Sequence, residues 1–126
     1  MRTRVLSAVA LIGVFAAGAA LGAWQQAQSS ASRREPQFEN EHVRVWKTII
    51  MPNQPLALHR HEFGRTIVAL KGGTLDVVDG QSKTMKTMVW ETGKAYWLDK
   101  DPAGEMHGDM NRGKEPMEVI VVEMRR

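Results

Sequence analysis

The chain contains no cysteine. That excludes disulfides, zinc ribbons, thiol nucleophiles and iron–sulfur clusters. It has no G-x-S-x-G turn, no Walker loop and no dinucleotide fingerprint, so hydrolase-triad, nucleotide-hydrolysing and Rossmann readings have no support. Internal repeats and low-complexity tracts are missing too. Most of the chain also lacks an excess of charge. The formal charge is +3, but Arg2, Arg4, Arg33 and Arg34 are the sole charged residues before Glu35, and from there on 13 basic groups face 14 acidic ones. The body therefore has no net attraction for phosphate, and no nucleic-acid partner is expected. A length of 126 residues allows one domain and excludes a multidomain enzyme.

There is one long apolar run, from Val5 to Trp24. Ser7, Gly13, Gly18 and Gly22 interrupt it without adding charge, and Arg2 and Arg4 precede it. A basic flank, an apolar stretch and small residues near its end form the pattern of a secretory signal. The run is also long enough to span a bilayer as an apolar helix. A cleaved signal makes the protein periplasmic or secreted. An uncleaved one anchors it in the inner membrane, with the body outside the cytoplasm and the basic flank inside. Without cysteine, a lipoprotein anchor is excluded. The resulting organisation is a signal or anchor over 1–24, a polar linker over 25–37 and a folded domain over 38–126. The membrane is met through the N-terminal segment alone.

The body shows no sustained helical period. Val43 to Ile50 is a β-branched run, broken by Pro52, Asn53 and Pro55. Further extended stretches are expected at Leu56–His61, Thr66–Leu70, Thr74–Val78, Met85–Trp90, Ala95–Leu98 and Met117–Met124. Gly72-Gly73 and Asp79-Gly80 read as hairpin turns. Short strands at this spacing, with Gly and Pro between them, predict an all-β sandwich or barrel. A core this small favours a homodimer that buries an exposed sheet. Asp99, Lys100 and Asp101 read as a solvated loop. Trp46, Trp90, Trp97, Phe63 and Tyr96 read as core or pocket wall, and the methionines, including Met106 and Met110, as core filling.

Chemistry concentrates in the histidines. His59 and His61 stand two apart in an extended segment, so both side chains point to one face. Imidazole suits Zn, Fe, Cu and Ni. His42 belongs to no cluster and reads as a surface residue. Downstream, Pro102, Gly104, His107 and Asn111 match P-x-G-x-x-H-x-x-x-N. Upstream, His59, His61 and Gly72 match G-x5-H-x-H-x3-4-E-x6-G, with Asn53 in place of the first Gly. Asn is the next-best residue for a left-handed turn. These two motifs, in this order, resemble those of the cupin superfamily, and the resemblance covers the body from about Phe38 to Glu123. It implies a small double-stranded β-helix, or jelly-roll barrel, holding a divalent metal (Fe, Zn, Mn, Ni or Cu). The family's ligands carry over onto His59, His61 and His107.

The fourth ligand does not carry over. The glutamate position is Arg65 with a three-residue spacer, and Thr66 with four. Glu62 and Glu105 each adjoin a ligand histidine, and strand alternation turns them away from it. At ~6 Å and an effective dielectric of ~20, an arginine opposes a dication by roughly 5 kcal/mol. Three arrangements stay open. Arg65 faces the pocket, and an anion bridges it to a three-histidine metal. Arg65 turns to solvent, leaving an open three-histidine site. Or the metal is lost. The resulting expectation is an exported cupin that binds a metal and a small anionic ligand, as an oxygenase or isomerase-like enzyme. The alternatives are a non-enzymatic binding or sensing module, or a metal-free structural dimer.

Overall fold

The computed structural model describes residues 31–126. The apolar run and the signal, anchor and early linker assigned to it lie outside the described residues. Eight strands follow in order: β1 (Arg33–Glu39), β2 (Val43–Ile50), β3 (Arg65–Lys71), β4 (Gly73–Val78), β5 (Thr84–Trp90), β6 (Ala95–Leu98), β7 (Gly108–Asn111) and β8 (Met117–Met124). They form a five-stranded sheet, β1-β2-β8-β3-β6, and a three-stranded sheet, β5-β4-β7, with antiparallel pairing throughout. Both sheets contribute to one core, including Trp46, Ile50, Ile67, Leu75, Trp90 and Val119.

Alternation aims the side chains. Along β8, Met117, Val119 and Val121 are buried, and the same row ends at Glu123. Along β3, Arg65, Ile67 and Ala69 are buried. In the ladder Arg65 lies opposite Glu123, and Ile67 opposite Val121. Two apolar rows thus end side by side in an arginine and a glutamate, at one mouth of the barrel.

Three expectations need correction. The Gly72-Gly73 pair does not close a hairpin, since β3 and β4 belong to different sheets. Gly72 is where the chain crosses between them. A Cβ there would sit 2.0 Å from the Trp90 carbonyl oxygen, so only glycine fits the close approach. Asp79-Gly80 does join a hairpin, between β4 and β5, closed by Asp79 N–H donating to Lys83 O at 2.9 Å. Leu56–His61 is not a strand of either sheet; it holds a single antiparallel bridge, His59 to His107. Finally, β1 starts at Arg33, inside the segment read as linker, and pairs along β2.

Asn111 explains its place in the second motif. It is fully buried, its Nδ2 donates to Ile50 O at 3.0 Å and Glu115 O at 2.7 Å, and its Oδ1 accepts from Gly113 N–H at 2.9 Å. It pins the end of β7 to β2 and to the turn before β8. Asn53 adopts φ 55°, the left-handed conformation expected where glycine is absent.

Candidate metal centre

His59 and His107 face one another through two backbone hydrogen bonds, His59 N–H to His107 O at 2.8 Å and His107 N–H to His59 O at 2.9 Å. This bridge sets the two imidazoles side by side, with ring centroids 4.5 Å apart. His61, two residues on, brings its ring to 4.9 Å from His59 and 5.7 Å from His107. One ring nitrogen from each histidine lies within 4.8 Å of the other two. The sequence placed these three together, and so does the fold.

Each ring is held by its other side. His59 Nδ1 donates to Ala57 O at 2.8 Å, which leaves Nε2 as a bare acceptor. His61 Nδ1 meets Glu123 Oε2 at 2.7 Å, a short carboxylate–imidazole contact of the kind that orients metal ligands. Its ring also lies parallel to Trp46, with an interplanar angle of 2° and a centroid separation of 6.2 Å. His107 Nδ1 lies 3.4 Å from Asp101 Oδ2. The same Asp101 carboxylate accepts His61 N–H at 2.6 Å, so it ties two of the histidines together.

His59 Nε2 is buried and has no hydrogen-bond partner. An orphaned imidazole acceptor of this kind is costly unless something electron-poor occupies the space beside it. Desolvation pushes His59 down to about 4, against the pull of Asp109. Burial also lowers His107, again opposed by Asp109 and Asp101. Two neutral imidazoles near pH 7 are the protonation state that a metal needs. The residues present therefore fit a divalent ion, with His59 and His107 held neutral by burial and a bare ring nitrogen on His59.

The depressed His59 sets a pH dependence. Between about 4 and 6.5 the unfolded chain binds a proton that the folded ring refuses, so stability rises with pH across that window. The contribution is complete above 6.5 and is lost as pH falls towards 4. Discounted for solvent screening, the shift represents a stability on the order of 1–3 kcal/mol. Urea unfolding of metal-free protein at pH 7 and pH 4.5 should show most of that loss, and His59→Gln should reduce it to the part that His107 contributes. A wild-type midpoint that does not change with pH contradicts the assignment.

Arg65 is buried and does not turn to solvent, which removes one of the three arrangements. Its Nη1 donates to Asp99 O at 3.0 Å, and its Nη2 lies 3.7 Å from Asp101 Oδ1. Burial lowers its pKa, and Asp101, Asp109 and Glu123 oppose that shift. A guanidinium keeps its charge regardless. Asp101 was read as part of a solvated loop. Instead its side chain is 14% exposed and touches His61, His107 and Arg65. Arg34, from β1, stacks over the Trp46 ring at 5.0 Å. Glu62 is exposed, and His42 is a surface residue paired with Glu41. Met106 is exposed rather than core filling, as is Phe63, whereas Met117 is fully buried and Trp97 lines the cavity.

Beside the histidines opens a cavity of about 400 Å³. Trp46, Met88, Trp90 and Leu98 supply apolar wall, and His61, Arg65, His107 and Asp109 supply polar groups. Sequence reasoning missed Asp101, Asp109, Glu123 and Arg34. Asp109 carried a signal, since it stands two residues after His107 and shares its face. The other three are brought in by long-range pairing.

Solved structures with this chain topology share its fold. A cupin domain from Bordetella pertussis Tohama I superposes with a TM-score of 0.64 at 20% identity, over 76% of this chain and 95% of that one. An RmlC-like cupin family protein with a double-stranded β-helix fold, from Methanocaldococcus jannaschii, gives a TM-score of 0.57 at 12% identity, over 75% and 81%. An RmlC-like cupin protein from Desulfovibrio desulfuricans gives 0.53 at 18%, over 96% and 97%. No protein-family model and no curated protein matches the sequence.

Proposed function

Since the chain folds as a cupin, we propose that it binds a divalent metal through His59, His61 and His107 and presents it to a small anionic ligand in the adjoining cavity. Two observations carry this reading together: one ring nitrogen from each of the three histidines falls within a single 4.8 Å group, and the buried His59 Nε2 has no hydrogen-bond partner. When bound, the metal supplies Lewis acidity to a carboxylate, an enolate or a similar oxygen donor.

The side chains of the cavity set its preference. Arg34, Arg65, Lys86 and Lys100 stand against Asp99, Asp101, Glu105 and Asp109, so the lining is formally neutral. A dication beside it makes the site cationic, and an anion restores the balance. Arg65, braced by Asp99 O and Asp101, holds its charge in a fixed place. Trp46 and Trp90 exclude water from one side and strengthen the attraction. A leader of the signal type supports a location outside the cytoplasm, in the periplasm or beyond. The described residues contain no helix long and apolar enough to cross a membrane.

Malonate is a suitable probe. Calorimetric titration should show zinc-loaded protein binding malonate at least ~10-fold more tightly than metal-free protein, a difference of about 1.4 kcal/mol. Equal affinity for the two forms contradicts a ligand site built around the metal. If malonate binds only the metal-free form, the pocket is an anion site without metal.

A further inference from the structure

Asp109 has no role in the expectations drawn from the sequence. It lies on β7, and its side chain is 15% exposed. Its two carboxylate oxygens are divided between two imidazoles. Oδ2 lies 3.5 Å from His59 Nε2, and Oδ1 lies 3.9 Å from His107 Nε2. Neither distance is a good hydrogen bond. In both rings Nδ1 is turned to another acceptor, Ala57 O for His59 and Asp101 for His107. On His59 the nitrogen that faces Asp109 is therefore the one without a proton, and it has no hydrogen-bond partner. A carboxylate beside a bare imidazole nitrogen, in a partly desolvated place, brings lone pairs together with nothing between them. A cation between the two groups removes that conflict.

We propose that Asp109 is the fourth ligand of the histidine site and supplies the carboxylate that Arg65 displaced from β3. The proposal rests on the metal reading above and adds the anionic ligand to it. Donors about 2.0–2.2 Å from one ion at tetrahedral angles stand about 3.3–3.5 Å apart. The spacing of Asp109 Oδ2 from His59 Nε2 lies at the edge of that range. The strand period supports the assignment, because His107 and Asp109 are two apart and project to one face. The carboxylate has moved from one wall of the barrel to the other. It lowers the net charge of the loaded site by one, which reduces the opposition from buried Arg65. It also frees that guanidinium to meet the ligand instead of the metal.

The test is cobalt(II) titration of metal-free protein, followed by visible absorption. Wild type should bind one equivalent. Asp109→Asn should weaken binding about 100-fold, the size of effect expected for losing an important group around a metal, and should alter the cobalt absorption bands. Asp109→Ser should behave alike. Thermal unfolding of both metal-free variants should stay close to wild type, since the Asp109 carboxylate there meets the two imidazoles only at 3.5 and 3.9 Å and attracts Arg34 and Arg65 from a distance. A wild-type affinity and spectrum in Asp109→Asn and Asp109→Ser overturn the proposal and leave the three-histidine reading intact. Failure of wild type to bind cobalt(II) at all overturns both. Loss of metal-free stability in both variants, with cobalt(II) affinity kept, makes Asp109 a structural group and overturns it too.

Discussion

Replacing His61 with alanine is expected to abolish stoichiometric metal binding in a chain that still folds. Three imidazoles share this site, two from the segment Leu56–His61 and one from the residue before β7. Loss of a supporting partner around a metal already costs 10–100-fold in affinity, so loss of a ligand should cost at least ~100-fold. The backbone bridge that shapes the site runs between His59 and His107, and the His61 N–H that meets Asp101 belongs to the main chain. Alanine keeps both. What it loses is the stack on Trp46 and the contact with Glu123, which then stands partly buried without its imidazole. That costs about 1–3 kcal/mol. Metal analysis after purification without chelators, beside a circular-dichroism melt, separates the two effects. Wild-type metal content in His61→Ala removes His61 from the ligand set.

Arg65→Glu should produce the second large change, with opposite signs in the two forms of the protein. In the metal-free barrel, Arg65 is the cation beside Asp101 and stands opposite Glu123 in the ladder. Reversing its charge gathers carboxylates in one partly buried place. Removing one partner of a buried pair costs about 3–5 kcal/mol, a large part of the stability of a domain of this size. Metal-free Arg65→Glu should therefore melt at a much lower temperature, with a raised unfolded fraction. With zinc the balance inverts. At ~6 Å and an effective dielectric of ~20, each unit of charge exchanged is worth roughly 5 kcal/mol towards a dication. Zinc should restore the stability and bind more tightly than in wild type, while malonate affinity falls. Thermal melts with and without zinc read both effects. If stability and zinc affinity match wild type in both forms, Arg65 is not electrostatically part of the site.

These expectations draw unequally on sequence and on structure. β2, β6 and β8 were legible to the residue, because β-branched and aromatic runs bounded by turn residues have no competing period. β7 was not, because Gly108–Asn111 is short and its residues had been read as motif. β1 was hidden by its composition, as Arg33, Arg34, Glu35 and Gln37 resemble a linker until β2 offers them a ladder. Gly72-Gly73 carried a true signal with the wrong consequence. The glycine is required by the closeness of Trp90, and that contact arises only once the chain crosses between sheets.

The site divides along the same line. His59, His61 and His107 followed from two motifs, and Arg65 from its position within one of them. The groups that set their chemistry arrive from afar. Asp101 hydrogen-bonds a histidine 40 residues away, and Glu123 one 62 residues away. No local pattern encodes such pairings. Only the register of β8 against β3 places Glu123 beside His61 and Arg65 together.

Diffraction from crystals grown with zinc, recorded above and below the zinc absorption edge, tests the central claim most directly. The account predicts one strong anomalous peak per chain, about 2.0–2.1 Å from a ring nitrogen of each of His59, His61 and His107, with His59 contributing Nε2. A zinc peak elsewhere, or no peak with the three rings arranged as they are here, contradicts it.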